Sequence, residues 1–224
     1  MLHLYGIVES PGQCTGTGLE GEPLASIPCG EVAAIVSEHT RTVDSPPAEE
    51  ALWQHESVLE ALLEAGPVLP VRFGVRFADP EELRAKIEPR SAQFATVLAR
   101  VRGRVELSVR LLARGDDEAR SLPEHAGPGA RYLLGRVEER RDAARTLDTV
   151  RNRLAPLAVA ERSELLPRPG TPASAAFLVE RAALEPFRDA ARELQEDLGD
   201  VVLVCTGPWP PYNFVDEQVA EPAW

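Results

Sequence analysis

The second half of the chain shows the most regular alternation of apolar and polar positions. Residues 104–113 alternate between the two classes, which predicts a half-buried strand. Residues 130–157 repeat apolar side chains every three or four positions, which predicts a long amphipathic helix. The apolar stripe of this helix consists of Leu133, Val137, Ala144, Leu147, Val150 and Leu154. Two strands, a helix and a last buried strand are predicted at residues 158–165, 174–181, 183–199 and 200–207.

The first half of the chain predicts a similar mixture of strands and helices. Strands are predicted at residues 2–8, 31–39 and 67–77. Pro70 interrupts the third strand, and prolines within sheets are found at edges or bulges. Residues 10–30 are rich in Gly, Pro and Ser, which predicts a loop.

Three helices are predicted between these strands and the second half. The first ends at Gly66, because Pro67 cannot continue it. Asp79 is a suitable N-cap for the second, with Pro80 at its first helical position. Pro89 separates the second helix from a third at residues 90–103. The predicted apolar face of the first helix consists of Leu52, His55, Leu59, Leu62 and Leu63.

These elements predict an α+β fold with two domains. The order in the second half, β-α-β-β-α-β, predicts a ferredoxin-like domain with the split βαβ arrangement. The first half predicts a related α+β sandwich. A new strand begins at residue 104 directly after a helical segment, so we place the domains at residues 1–102 and 103–215, followed by an acidic tail at 216–224.

Charge and composition exclude several classes of function. The formal net charge is −12, which repels phosphate backbones and makes nucleic acid an unsuitable partner. No apolar segment reaches the 18 residues that a membrane span needs, and the N-terminus does not have the pattern of a secretory signal. Three widely spaced cysteines predict free thiols in a reducing cytoplasm.

The candidates for catalysis are isolated residues. His55 on the first helix is a possible general base, but a neutral, hydrogen-bonded core histidine is the interpretation we favour. Cys205 lies in an apolar strand, which favours an inert buried thiol over a nucleophile. Gly127 and Gly129 form a G-x-G at a helix start, which a helix-starting turn explains better than a phosphate site. We therefore expect no enzyme, metal or cofactor.

Residues 207–214, "GPWPPYNF", concentrate three aromatic side chains in a chain whose aromatic content is 5%. Three prolines stiffen this segment and lower the cost of ordering it. Trp209 and Phe214 could cap the core of the second domain, or they could present a pre-organised anchor to another protein. The residue pattern by itself leaves both interpretations open.

Four segments occur together and in order: "YGIV", "HESVLEALLEAGPVLPVRFGVRF", "GPGARYLLGR" and "GPWPPYNFV". This combination resembles the gas vesicle protein GvpL/GvpF family over residues 3–215, and "LPVRFG" and "GPWPPYNF" are its most specific parts. The resemblance implies a non-enzymatic accessory or minor structural protein of gas vesicle assembly. It also implies a cytoplasmic, gas vesicle-associated location and, as partners, the hydrophobic shell protein GvpA and other accessory proteins.

The candidate structural and partner-binding residues lie in "GPWPPYNF" and in "LPVRFGVRF", which extends "LPVRFG" to residue 77. These are Trp209, Tyr212, Phe214, Pro70, Arg72, Phe73 and Phe77. We expect Trp209 to pack inward and the segment to cross toward "LPVRFG" as a clasp between the domains. An alternative function is a small-ligand sensor, because ferredoxin-like modules often bind metabolites; it rests on analogy of fold.

Overall fold

The computed structural model describes residues 1–10, 14–39, 49–113, 127–168, 171–199 and 201–215. The chain divides into two compact units. The N-terminal unit consists of Met1–Val105 together with Trp209–Trp224, and the C-terminal unit consists of Glu106–Pro208. Helices and strands mix in both units, and the strands form two antiparallel sheets. The domain limits at residues 102 and 215 stay predictions, and in this division the segment from Trp209 onward is grouped with the N-terminal unit.

The sheet of the N-terminal unit is built around its first strand. Its strands are β1 (Leu2–Glu9), β2 (Ala25–Cys29), β3 (Val32–Glu38), β4 (Val68–Pro70) and β5 (Arg76–Phe77). They lie in the order β2-β3-β1-β4, and β5 also pairs with β1. All these pairings are antiparallel. Strand β1 therefore has β3 along one edge and β4 and β5 in succession along the other.

Both faces of this sheet are covered at its centre. Residues 2–7 of β1 and 32–37 of β3 are all buried. Because successive side chains of a strand point to opposite faces, an unbroken buried run requires packing on both sides. Helices in this unit supply that packing, since α1 contacts β1 and β4 while α3 contacts β1, β3 and β4.

Two expectations for this sheet are wrong. Residues 67–77 do not form one strand: β4 and β5 are separated at Val71–Val75, where Gly74 has a φ of +97° that favours glycine. The predicted loop at residues 10–30 contains strand β2. Pro28 lies within β2, and a proline is tolerated there because β2 is the edge of the sheet.

Three helices complete the N-terminal unit: α1 (Glu49–Ala65), α2 (Pro80–Ile87) and α3 (Ser91–Val101). Asp79 is confirmed as the N-cap of α2, because its carboxylate accepts hydrogen bonds from the backbone N–H groups of Glu81 and Glu82. Leu52 was predicted on the buried face of α1, but its side chain is 40% exposed. The buried face consists of His55, Val58, Leu59, Leu62 and Leu63.

The C-terminal unit has a four-stranded sheet with two helices packed on it. Its elements are β6 (Arg104–Ala113), α4 (Pro128–Leu154), β7 (Ala160–Arg168), β8 (Thr171–Glu180), α5 (Leu184–Asp197) and β9 (Val201–Trp209). The strands lie in the order β7-β8-β6-β9. The core contains Leu107 and Val109 of β6, Val150 of α4, Phe177 of β8 and Phe187 of α5.

Two expectations for the C-terminal unit are wrong in part. Leu147, Val150 and Leu154 of α4 are buried as expected, but Val137 is 47% exposed; the Leu133 side chain lies outside the described residues. The last strand was predicted to end at residue 207, yet β9 continues through Pro208 to Trp209. Strand β9 is at the edge of its sheet, where the missing N–H of a proline costs no ladder hydrogen bond.

Gly6 allows β1, β4 and α1 to approach one another closely. A Cβ atom at this position would lie 2.9 Å from Cγ2 of Val68 and 3.2 Å from Cδ2 of Leu59. We expect Gly6→Ala to lower the free energy of unfolding by about 1–3 kcal/mol through overpacking. The matched control is Gly66→Ala, because a Cβ at Gly66 meets nothing within 4 Å. Urea unfolding of both variants checks this, and equal stabilities would contradict it.

Candidate functional site

The segment from Trp209 to Val215, called the C-terminal segment below, follows a cis peptide bond between Gly207 and Pro208. Trp209 is half-buried at the end of β9, and Pro210 and Pro211 are buried. A 3₁₀ turn then covers Tyr212–Phe214. The N–H of Tyr212 donates to the carbonyl of Pro210 at 2.8 Å, so the turn holds its own backbone together locally.

Two long-range hydrogen bonds attach the C-terminal segment to the N-terminal unit. The Tyr212 hydroxyl donates to Oε1 of Glu56 on α1 at 2.9 Å. The guanidinium of Arg100 on α3 donates to the carbonyl of Phe214, also at 2.9 Å. Phe214 is 1% exposed and Val215 is 3% exposed. The end of the segment, Phe214 and Val215, is therefore buried in the N-terminal unit, whereas Trp209 and Tyr212 stay partly accessible.

The residues of "LPVRFG" lie in the same unit. Pro70 is buried at the end of β4, opposite Gly6 of β1. Phe77 is 2% exposed in β5, opposite Leu2. Between them, Arg72 is exposed and Phe73 is half-buried. The seven predicted residues thus divide into a buried set, Pro70, Phe77 and Phe214, and a set that reaches the surface, Arg72, Phe73, Trp209 and Tyr212.

A buried histidine pair lies beside this region. His55 on α1 donates from Nε2 to the carbonyl of Val71 at 2.9 Å. A neutral ring then has only Nδ1 as an acceptor, so His3 on β1 donates to it from Nε2 at 3.0 Å. This leaves Nδ1 of His3 as a buried acceptor with no hydrogen-bond partner in the described part of the chain. The Val71 carbonyl therefore sets the tautomers of both rings.

Aromatic side chains surround the pair. Tyr5 stacks on His55 with ring centroids 5.2 Å apart, and Phe73 lies 5.2 Å from His3 and 5.5 Å from His55. His55 and Phe73 were among the residues singled out from the sequence, whereas His3 and Tyr5 were not. The available signal was their i, i+2 spacing on β1, which places both side chains on one face of the strand.

Burial keeps both histidines neutral. It lowers the pKa of His3 to about 3, and the neighbouring His55, His39 and Arg76 contribute in the same direction. Burial also lowers the pKa of His55, against the effect of its hydrogen bond to the Val71 carbonyl. The interpretation of His55 as a neutral, hydrogen-bonded core histidine is confirmed by its burial and by this bond.

The other candidate for chemistry is a thiol. Cys205 on β9 is half-buried, and burial raises its pKa despite the opposing effect of Arg188 and Arg192. A raised pKa keeps the sulfur protonated and weakly nucleophilic. Among the described residues, His, Cys, Asp and Glu side chains form no group of three that could hold a metal ion. None of the helices within those residues is long and apolar enough to cross a bilayer.

Comparison with known proteins covers nearly the whole chain. The model of the family described as gas vesicle synthesis protein GvpL/GvpF matches residues 1–216. Gas vesicle protein F of Streptomyces sp. is 31% identical, over 96% of this chain and 99% of its own length. Gas vesicle protein F2 of Halobacterium salinarum is 28% identical, over 96% and 92%. Gas vesicle protein L of Streptomyces sp. is 27% identical, over 88% and 85%.

Two solved structures share the fold. The crystal structure of gas vesicle protein GvpF from Microcystis aeruginosa superposes with a TM-score of 0.78 at 20% identity, covering 95% of this chain and 98% of that one. The structure of GvpF from Anabaena sp. gives a TM-score of 0.80 at 23% identity, covering 95% and 94%. Because the identities are only 20% and 23%, this likeness shows that the chain shares the fold of these two proteins and nothing beyond the fold.

The histidine pair predicts an acid-sensitive N-terminal unit. The pKa of His3 is about 3 in the folded state and 6.5 by default, so the unfolded state binds the proton more readily. The contribution of His3 to the free energy of unfolding is therefore fully present above pH 6.5. It is lost as the pH falls toward 3, by up to about 1.4 kcal/mol per pH unit. Urea unfolding at several pH values, with His3→Gln for comparison, measures this contribution. An identical pH dependence in both proteins would contradict it.

The burial of the C-terminal segment predicts unequal roles for its aromatic residues. We expect Phe214→Ala to lower the free energy of unfolding by about 3–5 kcal/mol, because it empties a fully buried site. Trp209→Ala should cost less, since its ring is half-buried. Tyr212→Phe removes only the hydroxyl bonded to Glu56 and should cost about 1 kcal/mol. Chemical denaturation ranks the three variants. A Phe214→Ala protein of normal stability would contradict the structural role of the Phe214 ring.

Proposed function

Because the chain belongs to the gas vesicle synthesis protein GvpL/GvpF family, we propose that it is a non-enzymatic accessory or minor structural protein of gas vesicle assembly. The observation that carries this proposal is the extent of the match, which runs over residues 1–216 and spans both units. Relatives named gas vesicle protein F and gas vesicle protein L also align over most of their own lengths. We therefore assign the proposed role to both units together and not to one of them.

The proposed partners are the hydrophobic shell protein GvpA and other accessory proteins. Shell subunits that bury apolar surface against each other aggregate when they are unassembled. A partner with a net charge of −12 would keep a complex with such a subunit dispersed until delivery. We place this exchange in the cytoplasm and at the gas vesicle.

Helix α1 connects the predicted partner-binding residues that reach the surface. His55 packs against Phe73, and the next residue, Glu56, accepts the hydrogen bond from Tyr212. A half-buried aromatic ring on a rigid support is a suitable anchor for a partner, because little entropy is lost when it binds. We therefore propose that Phe73, Tyr212 and Trp209 contribute to partner binding, while Phe214 holds the segment in place.

The proposal includes a ferredoxin-like description of the C-terminal unit. Its elements follow the order β6-α4-β7-β8-α5-β9, and its sheet has the order β7-β8-β6-β9, which supports a split βαβ arrangement. The small-ligand sensor rests only on this analogy of fold, and no ligand-binding observation favours it over the family role.

Co-expression with the shell protein tests the proposed function. We expect the purified full-length chain to co-purify with the shell protein and to increase the fraction of shell protein that stays in the supernatant after centrifugation. Trp209→Ala should weaken co-purification by about tenfold. The matched control is Val159→Ala, which shortens a 48% exposed side chain of the other unit.

Unfolding measured on the same variants separates binding from stability. If Trp209→Ala unfolds normally and loses the shell protein, the ring is a binding anchor. If it loses stability and binding in parallel, the ring is a structural residue and the anchor is rejected. A wild-type chain that neither retains the shell protein nor changes its solubility would overturn the proposed function.

A further inference from the structure

Within the part of the chain that the structure describes, two helices carry most of the exposed large apolar side chains. Six such side chains are exposed among the described residues, and four of them lie on α1 and α4. On α1, Leu52 is 40% exposed and Trp53 is 66% exposed. On α4, Leu134 is 42% exposed and Val137 is 47% exposed. Exposing a tryptophan ring to water is energetically unfavourable, and tryptophan is enriched at the centres of protein interfaces.

The exposed face of α1 is acidic. Between residues 49 and 65 the helix carries five glutamates and no lysine or arginine. Glu60 and Glu64 lie two and three turns after Trp53, both are exposed, and neither forms an ion pair within the part of the chain that the structure describes. Trp53 is held in place, since its Nε1 donates to Glu49 at 3.3 Å. This face therefore combines an ordered aromatic ring with uncompensated negative charge.

The exposed face of α4 carries two arginines and one glutamate close to Val137. Arg140 and Arg141 follow Val137, both are exposed, and neither has an ion-pair partner among the described residues. Other arginines of this helix are compensated: Arg145, Arg151 and Arg153 pair with Asp142, Glu161 and Glu193. Glu138 is also exposed and lies one turn after Leu134, so Glu138, Arg140 and Arg141 together leave one positive charge in excess next to the two exposed apolar residues of α4.

The spacing of apolar and charged positions matches between the two helices. Glu60 follows Trp53 by seven residues, and Arg141 follows Leu134 by seven residues. Seven residues are two helical turns, or about 10 Å along the axis. If the helices lie parallel, the apolar positions meet at one end and opposite charges meet two turns further on.

We propose that α1 of one copy of this chain docks against α4 of a second copy. The ring of Trp53 packs on Leu134 and Val137, and Glu60 faces Arg141. Glu64 lies about one turn further on, within reach of the long Arg141 side chain. The two faces differ, so the contact is heterologous and each copy offers one of each. The charges set the register of the helices and make the association dependent on salt. This self-association is independent of the proposed binding of the shell protein.

Charge reversal on each face tests the proposal with the full-length chain. Sedimentation velocity over a range of concentrations should show association of the wild type at low salt and its weakening at high salt. Trp53→Ala, E60R/E64R and R140E/R141E should each weaken self-association by about tenfold or more. Mixing E60R/E64R with R140E/R141E should restore association. The reversed α1 of the first variant then faces the reversed α4 of the second, so opposite charges meet again.

Matched reversals elsewhere separate a specific contact from a general effect of charge. E31R/E196R and K86E/R110E change exposed side chains that lie off both helices, and they should associate as the wild type does. Val159→Ala is the corresponding control for Trp53→Ala. A monomeric wild type at every concentration overturns the proposal. It is also overturned if the wild type associates but the α1 and α4 variants behave like their controls, since a different surface is then in use.

Discussion

Strand β1 is paired along both edges and covered on both faces, and the arrangement of the N-terminal unit depends on that enclosure. Any polar side chain on such a strand must find its partner inside the protein. His3 does so through His55, which is fixed in turn by the carbonyl of Val71. Tyr5 accepts a hydrogen bond from the N–H of Leu19 and bonds to Ser37. The polar positions of β1 thus specify where a helix, a loop and a neighbouring strand lie.

Helix α1 extends this organisation from the core to the surface. Its inner face contributes His55 to the buried pair, and the adjacent Glu56 binds Tyr212 of the C-terminal segment. Its outer face presents Trp53 between glutamates. Helix α1 therefore connects strand β1, the first element of the chain, with the last residues that the structure describes. The two segments that carry the resemblance lie more than 130 residues apart in the sequence, yet "LPVRFG" and residues 209–214 belong to the same unit.

The titratable groups that are candidates for chemistry are held in their neutral forms. Burial lowers the pKa of His3 and of His55, and it raises the pKa of each cysteine thiol. What the surface offers instead is net negative charge, a few ordered aromatic rings and one helix face of opposite charge. These features fit the accessory or minor structural role that we propose for this member of the gas vesicle synthesis protein GvpL/GvpF family.

The sequence by itself determined the helices, the N-cap of α2, the end of α1, most strands, the mixed fold and the family. Periodicity, Asp79, Gly66 and the short aromatic and proline motifs are local signals that need no knowledge of distant contacts. The sequence could not show strand β2, the exposure of Leu52 and Val137, or the pairing of His3 with His55. Those depend on neighbours distant in the chain: the two histidines are separated by 52 positions, and β2 exists because β3 pairs with it. An apolar residue at helical spacing is buried only where another element covers it, and only the tertiary structure decides that.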